Sequence, residues 1–299
     1  MTFDPNADIS GGRASKRGRN IGIGAGVGGL GVLAIILLGS FLGVDLSGIA
    51  GGIGIGPGGS SESVTSDESL ERCRTGADAN ADVTCRMVGA SAALETYWAE
   101  AAPAIGVGYR PPADLVMFDG ATSTGCGSAT SATGPFYCPS DETISLDTAF
   151  YDDLRTQYGA SGGPLAELYV VAHEWGHHVQ QLAGILAASQ DGRTGADSNS
   201  VRTELQADCF AGAWAGAAAT TLDDSGTPYL EPLTEADVAD ALSAAAAVGD
   251  DRIQERAQGQ ADPHTFTHGT AEQRQRWFET GYEQGAGSCD TFAVSGAEL

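Results

Sequence analysis

A chain of 299 residues with 39 acidic against 15 basic side chains has a formal charge of −24. That argues against the basic face needed for phosphate-backbone contacts, so no nucleic-acid partner is expected. A hydrophobic fraction of 42% suits a globular core, while 43 glycines exceed ordinary usage and imply some linker.

Charge is uneven along the chain: residues 1–20 carry a net +2 and residues 21–299 carry −26. Residues 21–44 follow the basic stretch without a charged side chain in 24 positions. As a helix they would reach about 36 Å, against a hydrocarbon core of about 30 Å. With Arg13, Lys16, Arg17 and Arg19 before this run and Asp45 after it, the positive-inside rule predicts a single-pass anchor. Residues 1–20 would then be cytoplasmic and the rest extracytoplasmic. A cleaved signal peptide is the rival reading; the length of the run and the lack of a small-x-small cleavage site count against it. Residues 45–70, rich in Gly and Ser and then acidic, read as a tether. The folded domain is expected over 71–299.

Six cysteines all follow the apolar run, as export into an oxidising compartment would require. Spacing suggests the local pairs Cys73–Cys85 and Cys126–Cys138, leaving Cys209–Cys289 as a long-range staple. Apolar periodicity predicts a helix around 88–101, and 114–118 and 143–147 read as short strands either side of a loop over 120–141. A helix follows over 164–185, ended at Gly184 or later. Another is capped by Ser198 or Ser200 and runs to about Thr221. Thr234 with Asp237 opens a helix to about Ala247, and Thr270 with Gln273 forms a capping box for a last helix ending before Gly281. Two strands beside a helical body imply an α+β fold.

The predicted helix 164–185 contains VAHEWGHHVQ, residues 171–180. His173 and His177, four apart, lie on one helix face and can reach one metal ion. Glu174, rotated by about 100°, sits beside that ion rather than on it, placed to take a proton from an activated water. Gly176 leaves room beside the site; Trp175 and Val179 are expected in the core and His178 as a structural histidine. A histidine six residues after His177 would mark another zincin class, but position 183 is Ala. A third ligand is sought in TELQADCF, 203–210, whose Glu-x-x-x-Asp pair resembles the arrangement of the gluzincins. That resemblance implies Glu204 as the ligand and Asp208, one turn further on, as acceptor of a hydrogen bond from a histidine ligand. His268 and Arg274 are candidates for stabilising an oxyanion; His264 has no assigned role.

Together AHEWGHHVQ (172–180), TELQADCFAGAWA (203–215), GDDRIQ (249–254), THGTAEQRQRWFETG (267–281) and GPFYCPSD (134–141) resemble the bacterial neutral zinc metallopeptidase family. The likeness spans roughly 70–295. It implies a zincin-like peptidase domain, often behind an N-terminal anchor, with one Zn2+ held by His173, His177 and Glu204 and with Glu174 as the catalytic glutamate. The substrate would be a peptide or protein, laid along an edge strand, 143–147 being the candidate. The late motif is similar to one in membrane peptidases that have Thr-His-Pro; here Gly269 replaces that proline, which weakens the transfer of a role to His268. The alternative function is a zinc-bound envelope module without turnover, against which the presence of a general base argues.

Overall fold

The computed structural model describes residues 2–17 and 70–299. Hence the apolar run 21–44 and almost all of the tether 45–70 lie outside the described residues. Among the described residues no helix is long and apolar enough to cross a membrane.

The fold is α+β, with a four-stranded sheet against a body of helices. Strands β1 (Ala14–Lys16), β2 (Asp114–Phe118), β5 (Phe136–Cys138) and β6 (Thr143–Asp147) form the sheet in the order β1-β2-β6-β5. The first two pairings are parallel and β5–β6 is antiparallel. β6 is buried along its whole length because it is flanked on both sides. It is therefore not the edge strand the sequence suggested; the edge beside the helices belongs to β5. Strands β3 (Ala121–Thr124) and β4 (Gly127–Thr130) make a separate hairpin in what reads as a plain loop. These segments are rich in Thr, Ser and Gly, so they carry little of the alternating apolar signal that marks a strand.

Among the described residues the helices begin with α1 (Gly76–Ala81) and α2 (Val83–Ala104). The Asp82 side chain accepts from the Cys85 N–H and starts α2 five residues earlier than its apolar periodicity shows. Next come α3 (Phe150–Thr156), α4 (Pro164–Leu182) and α5 (Ile185–Ser189). Gly184, at φ 74°, ends α4 in the left-handed region. Ser198 caps α6 (Asn199–Ala217), and Thr234 with Asp237 closes a capping box on α7 (Glu235–Ala247). After α8 (Asp250–Gln258), the Thr270–Gln273 capping box opens α9 (Ala271–Gln284). α9 continues through Gly281, where a Cβ would lie 1.9 Å from the Cys209 carbonyl oxygen. Glycine is there for helix contact and not for termination. Disulfides join Cys73 to Cys85, Cys126 to Cys138 and Cys209 to Cys289, the pairs read from spacing.

The expected domain start near Glu71 misses part of the body. Residues 2–17 belong to the same folded unit: β1 pairs with β2, and Phe3 and Ile9 are fully buried. Asn80 on α1 clamps the main chain, its Oδ1 accepting from the N–H groups of Thr2 and Phe3 and its Nδ2 donating 2.8 Å to the Phe3 carbonyl. Its few apolar residues, Phe3 and Ile9 among them, stand between polar and charged ones and give no periodic signal. Asn80→Ala should destabilise the protein by about 1–3 kcal/mol, the cost of leaving buried main-chain groups unpaired. Denaturant midpoints of the two proteins check this, and equal midpoints would mean the clamp contributes nothing.

Candidate metal centre and its support

α4 is buried on all sides from Leu165 to Gln180, between α6, α7 and the sheet. Its start is set by Pro164 at the first position and Glu167 in the first turn. Gly176 lies where α4 meets α6: a Cβ there would sit 3.0 Å from the Ala207 Cα. The residue thus leaves room for a neighbouring helix rather than for a substrate. This close crossing brings Glu204 of α6 opposite the two histidines of α4.

His173, His177 and Glu204, all buried, offer ligand atoms within 4.8 Å of one another. His173 Nε2 is 3.2 Å from Glu204 Oε2, and His177 Nε2 is 3.6 Å from Glu204 Oε1. Each imidazole is fixed from behind. His173 Nδ1 faces Asp208 Oδ1 at 2.8 Å, and His177 Nδ1 faces Gln180 Oε1 at 2.9 Å. An acceptor on each Nδ1 selects the tautomer that turns the Nε2 lone pair toward the centre, as metal ligation requires. Two neutral nitrogens and one carboxylate oxygen make a donor set that fits a divalent zinc ion with one position open.

Electrostatics point the same way. Burial alone would depress the His173 imidazolium, but the Asp208 and Glu204 carboxylates outweigh it and raise its pKa to about 10. Burial would raise Glu204, yet His177, His268 and His173 hold it well below the usual carboxylate range. The carboxylates thus favour the charged form of His173, and the imidazoles the charged form of Glu204.

Glu174 is buried beside the cluster without sharing in the convergence of ligand atoms. Burial raises its pKa; His177 and His173 pull it down, and so does a hydrogen bond from the Tyr137 main chain. Tyr137 belongs to β5, so the sheet edge and the glutamate border the same space. A cavity of about 240 Å³ opens there, lined by His173, Glu174, His177, Glu204, Tyr137 and His268.

The remaining expected residues divide into two groups. His268 faces this cavity from the loop before α9. Asp250 holds that loop: its Oδ2 accepts from the N–H groups of Thr267, His268 and Gly269 at 2.7, 2.7 and 3.0 Å, and its Oδ1 is 3.3 Å from His268 Nδ1. Gly269 adopts φ 89°, which proline cannot reach, so its substitution for proline reflects a different turn. Arg274, expected near an oxyanion, is committed elsewhere. Its Nε donates to Asp208 Oδ2 at 2.8 Å, and its Nη2 donates to Asp208 Oδ1 and Tyr169 Oη at 3.0 and 3.1 Å. The Tyr169 hydroxyl donates in turn to Asp208 Oδ1. Burial would raise Asp208, but Arg274 and His173 keep it low. His178, fully buried, lies 3.0 Å from the Tyr137 hydroxyl and 2.8 Å from the Arg110 carbonyl, tying β5 to α4. Cys209 and Cys289 brace α6 away from the ligands, and His264 is exposed.

Sequence reasoning missed Tyr169, Gln180, Gln206 and Asp250. Gln180 Nε2 donates to Gln206 Oε1, and Gln206 Nε2 donates to the Cys289 carbonyl, so His177 is registered against the chain after α9. A signal existed: polar residues at buried helical positions need partners. Burial of Asp250 would raise its pKa, but His268 and the loop amides lower it below its ordinary 3.8. A lowered carboxylate contributes stability fully above its unfolded pKa and loses it as pH falls through the folded value. The stabilities of wild type and Asp250→Asn should therefore differ at neutral pH and converge in acid below about pH 4. A gap that is constant with pH would assign the loss to shape alone.

An α+β body that sets His-Glu-x-x-His on one helix against a glutamate from a second has the build of a zinc metallopeptidase domain. The chain belongs to the family described as "Putative neutral zinc metallopeptidase", whose profile matches residues 4–292 and so takes in the N-terminal segment. It is 54% identical over 228 residues to the uncharacterized protein Rv2575 of Mycobacterium tuberculosis (strain H37Rv), covering 76% of each chain. It is 40% identical over 292 residues to the uncharacterized protein YpfJ of Escherichia coli (strain K12), covering 96% of this chain and 94% of that one. No solved structure matches.

Proposed function

We propose that this chain is a zinc-dependent peptidase with Glu174 as its general base. The observation that carries the reading is a buried carboxylate beside the ligand cluster that has no ligand duty. A structural metal site needs ligands but no base. Zinc held by His173, His177 and Glu204 would supply a Lewis acid that polarises a carbonyl and makes a water acidic. The protein's own groups do the rest. Glu174 accepts the proton from the attacking water and returns it to the leaving amine, a task suited to a carboxylate raised by burial. His268, oriented by Asp250, donates to the developing oxyanion. Asp208, with Arg274 and Tyr169 behind it, holds His173 in place. The peptide lies extended along the edge of β5, the strand whose main chain reaches Glu174. Three disulfides support an oxidising compartment outside the cytoplasm as its place of work.

The test is cleavage profiling of the purified full chain against peptide and ester libraries, with a chelator and after zinc is restored. Peptide cleavage that disappears with the chelator and returns with zinc is expected. Zinc bound without turnover of any peptide would overturn the reading and leave a binding module; turnover of esters alone would redirect it to another hydrolase.

A further inference from the structure

The N-terminal segment does more than add one strand. Its main chain bonds successively to four separate parts of the body. The Asp4 N–H donates to the Tyr229 carbonyl and the Thr2 carbonyl accepts from the Glu231 N–H, both in the loop before α7. The Ile9 N–H donates to the Arg74 carbonyl, and the Gly76 N–H donates to the Ala7 carbonyl, at α1. Ser91 on α2 accepts from the Arg13 N–H and donates to its carbonyl, and the Arg17 N–H donates to the Met117 carbonyl of β2.

The body is shaped to receive this segment. A Cβ at Gly76 would lie 1.8 Å from the Asp4 carbonyl oxygen, and one at Gly89 would lie 2.7 Å from the Phe3 ring. A Cβ at Gly12 would lie 2.1 Å from the Val88 carbonyl oxygen. Close approach on both partners, with Phe3, Ala7 and Ile9 all buried, marks an integral part of the core and not a tail laid on a surface. None of these contacts involves the metal cluster.

Arg17 and Leu70 therefore stand on one folded body, with residues 18–69 between them in the chain. The uncharged run within them, 24 residues, is long enough for one helical crossing of a bilayer and too short for two at about 20 residues each. One crossing would put residues 2–17 and 70–299 on opposite sides, where the contacts above cannot form. We propose that the N-terminal segment and the metal-site body occupy the same compartment in the folded protein, with residues 2–17 as a strap docked across α1, α2 and β2. The run 21–44 is then not a single crossing between them. This replaces the cytoplasmic placement of residues 1–20 that the positive-inside rule gives for an exported domain.

All six cysteines are paired, so a single introduced cysteine is the one free thiol of the chain. Gly11 is exposed with open space where a Cβ would go, and Glu283 is exposed on α9. Full-length Gly11→Cys and Glu283→Cys proteins are treated in intact cells with a membrane-impermeant maleimide, then again after permeabilisation. Equal labelling of the two sites in intact cells, high or low together, is expected. Labelling that differs tenfold or more before permeabilisation and becomes equal afterwards overturns the proposal. If Gly11→Cys does not accumulate, Asn6→Cys, also exposed, takes its place. Hydrogen exchange on the purified full chain supplies a readout without substitution. Protection of the amides of Phe3 and Ile9 is expected, and free exchange there overturns the docking.

Discussion

Glu174→Gln should yield a protein that folds, holds zinc and cleaves peptides about 10²–10⁴-fold more slowly than wild type. Glutamine keeps the size and one carbonyl acceptor of the glutamate but cannot take a proton. Burial already penalises the charged form of Glu174, so removing the charge should not unfold the site. The two ligands on the same helix, His173 and His177, remain fixed by Asp208 and Gln180 and are untouched by the change. The measurement is kcat/KM on one peptide at saturating zinc, with metal content determined on the same samples. Equal rates at equal zinc content would remove Glu174 from the mechanism.

Asp208→Asn should be the most destabilising change near the site, by about 3–5 kcal/mol, and should weaken zinc binding about 10–100-fold. Asp208 is wholly buried, and its two oxygens serve Arg274, Tyr169 and His173 together. Without its charge, the buried Arg274 guanidinium loses its ion-pair partner. Thermal or denaturant unfolding in chelator reads the first effect, and competition with a zinc indicator reads the second. The double variant Asp208→Asn/Arg274→Met separates them. It should recover much of the stability because no unpaired charge remains, while zinc affinity stays low because His173 has still lost its carboxylate. Recovery of both would mean that Asp208 acts only as partner to the arginine.

The candidate ligand cluster was more legible in the sequence than its setting. His173, Glu174 and His177 can be read from helical periodicity because three local residues share one element, and the pairing of Glu204 with Asp208 has the same local logic. Arg274 could be found, but its bonds to Asp208 could not. A cation six residues after a histidine suggests an oxyanion donor, whereas the fold turns it toward Asp208 from another helix. Strands β3 and β4 were hidden because short, polar segments lack the alternation that identifies strands, and β5, three residues of Phe-Tyr-Cys, is too short to show one. β6 was legible as a strand but not as the sheet's interior, since rank in a sheet depends on partners distant in the chain. Gln180 and Gln206 resemble ordinary helix-surface residues until α4 and α6 are seen to be buried. In each case a local pattern was readable, and what it faced was not.

The burial of Phe3 bears on where this protein can be cut. A fragment begun at Glu71 would retain every candidate metal ligand and all three disulfides, yet it would expose the slot that Phe3, Ala7 and Ile9 fill. The smallest piece with a closed core is discontinuous: residues 2–17 rejoined to 70–299 with the apolar run replaced by a neutral loop. Residues on either side of a hydrophobic run are usually assigned to separate units, but here they form one.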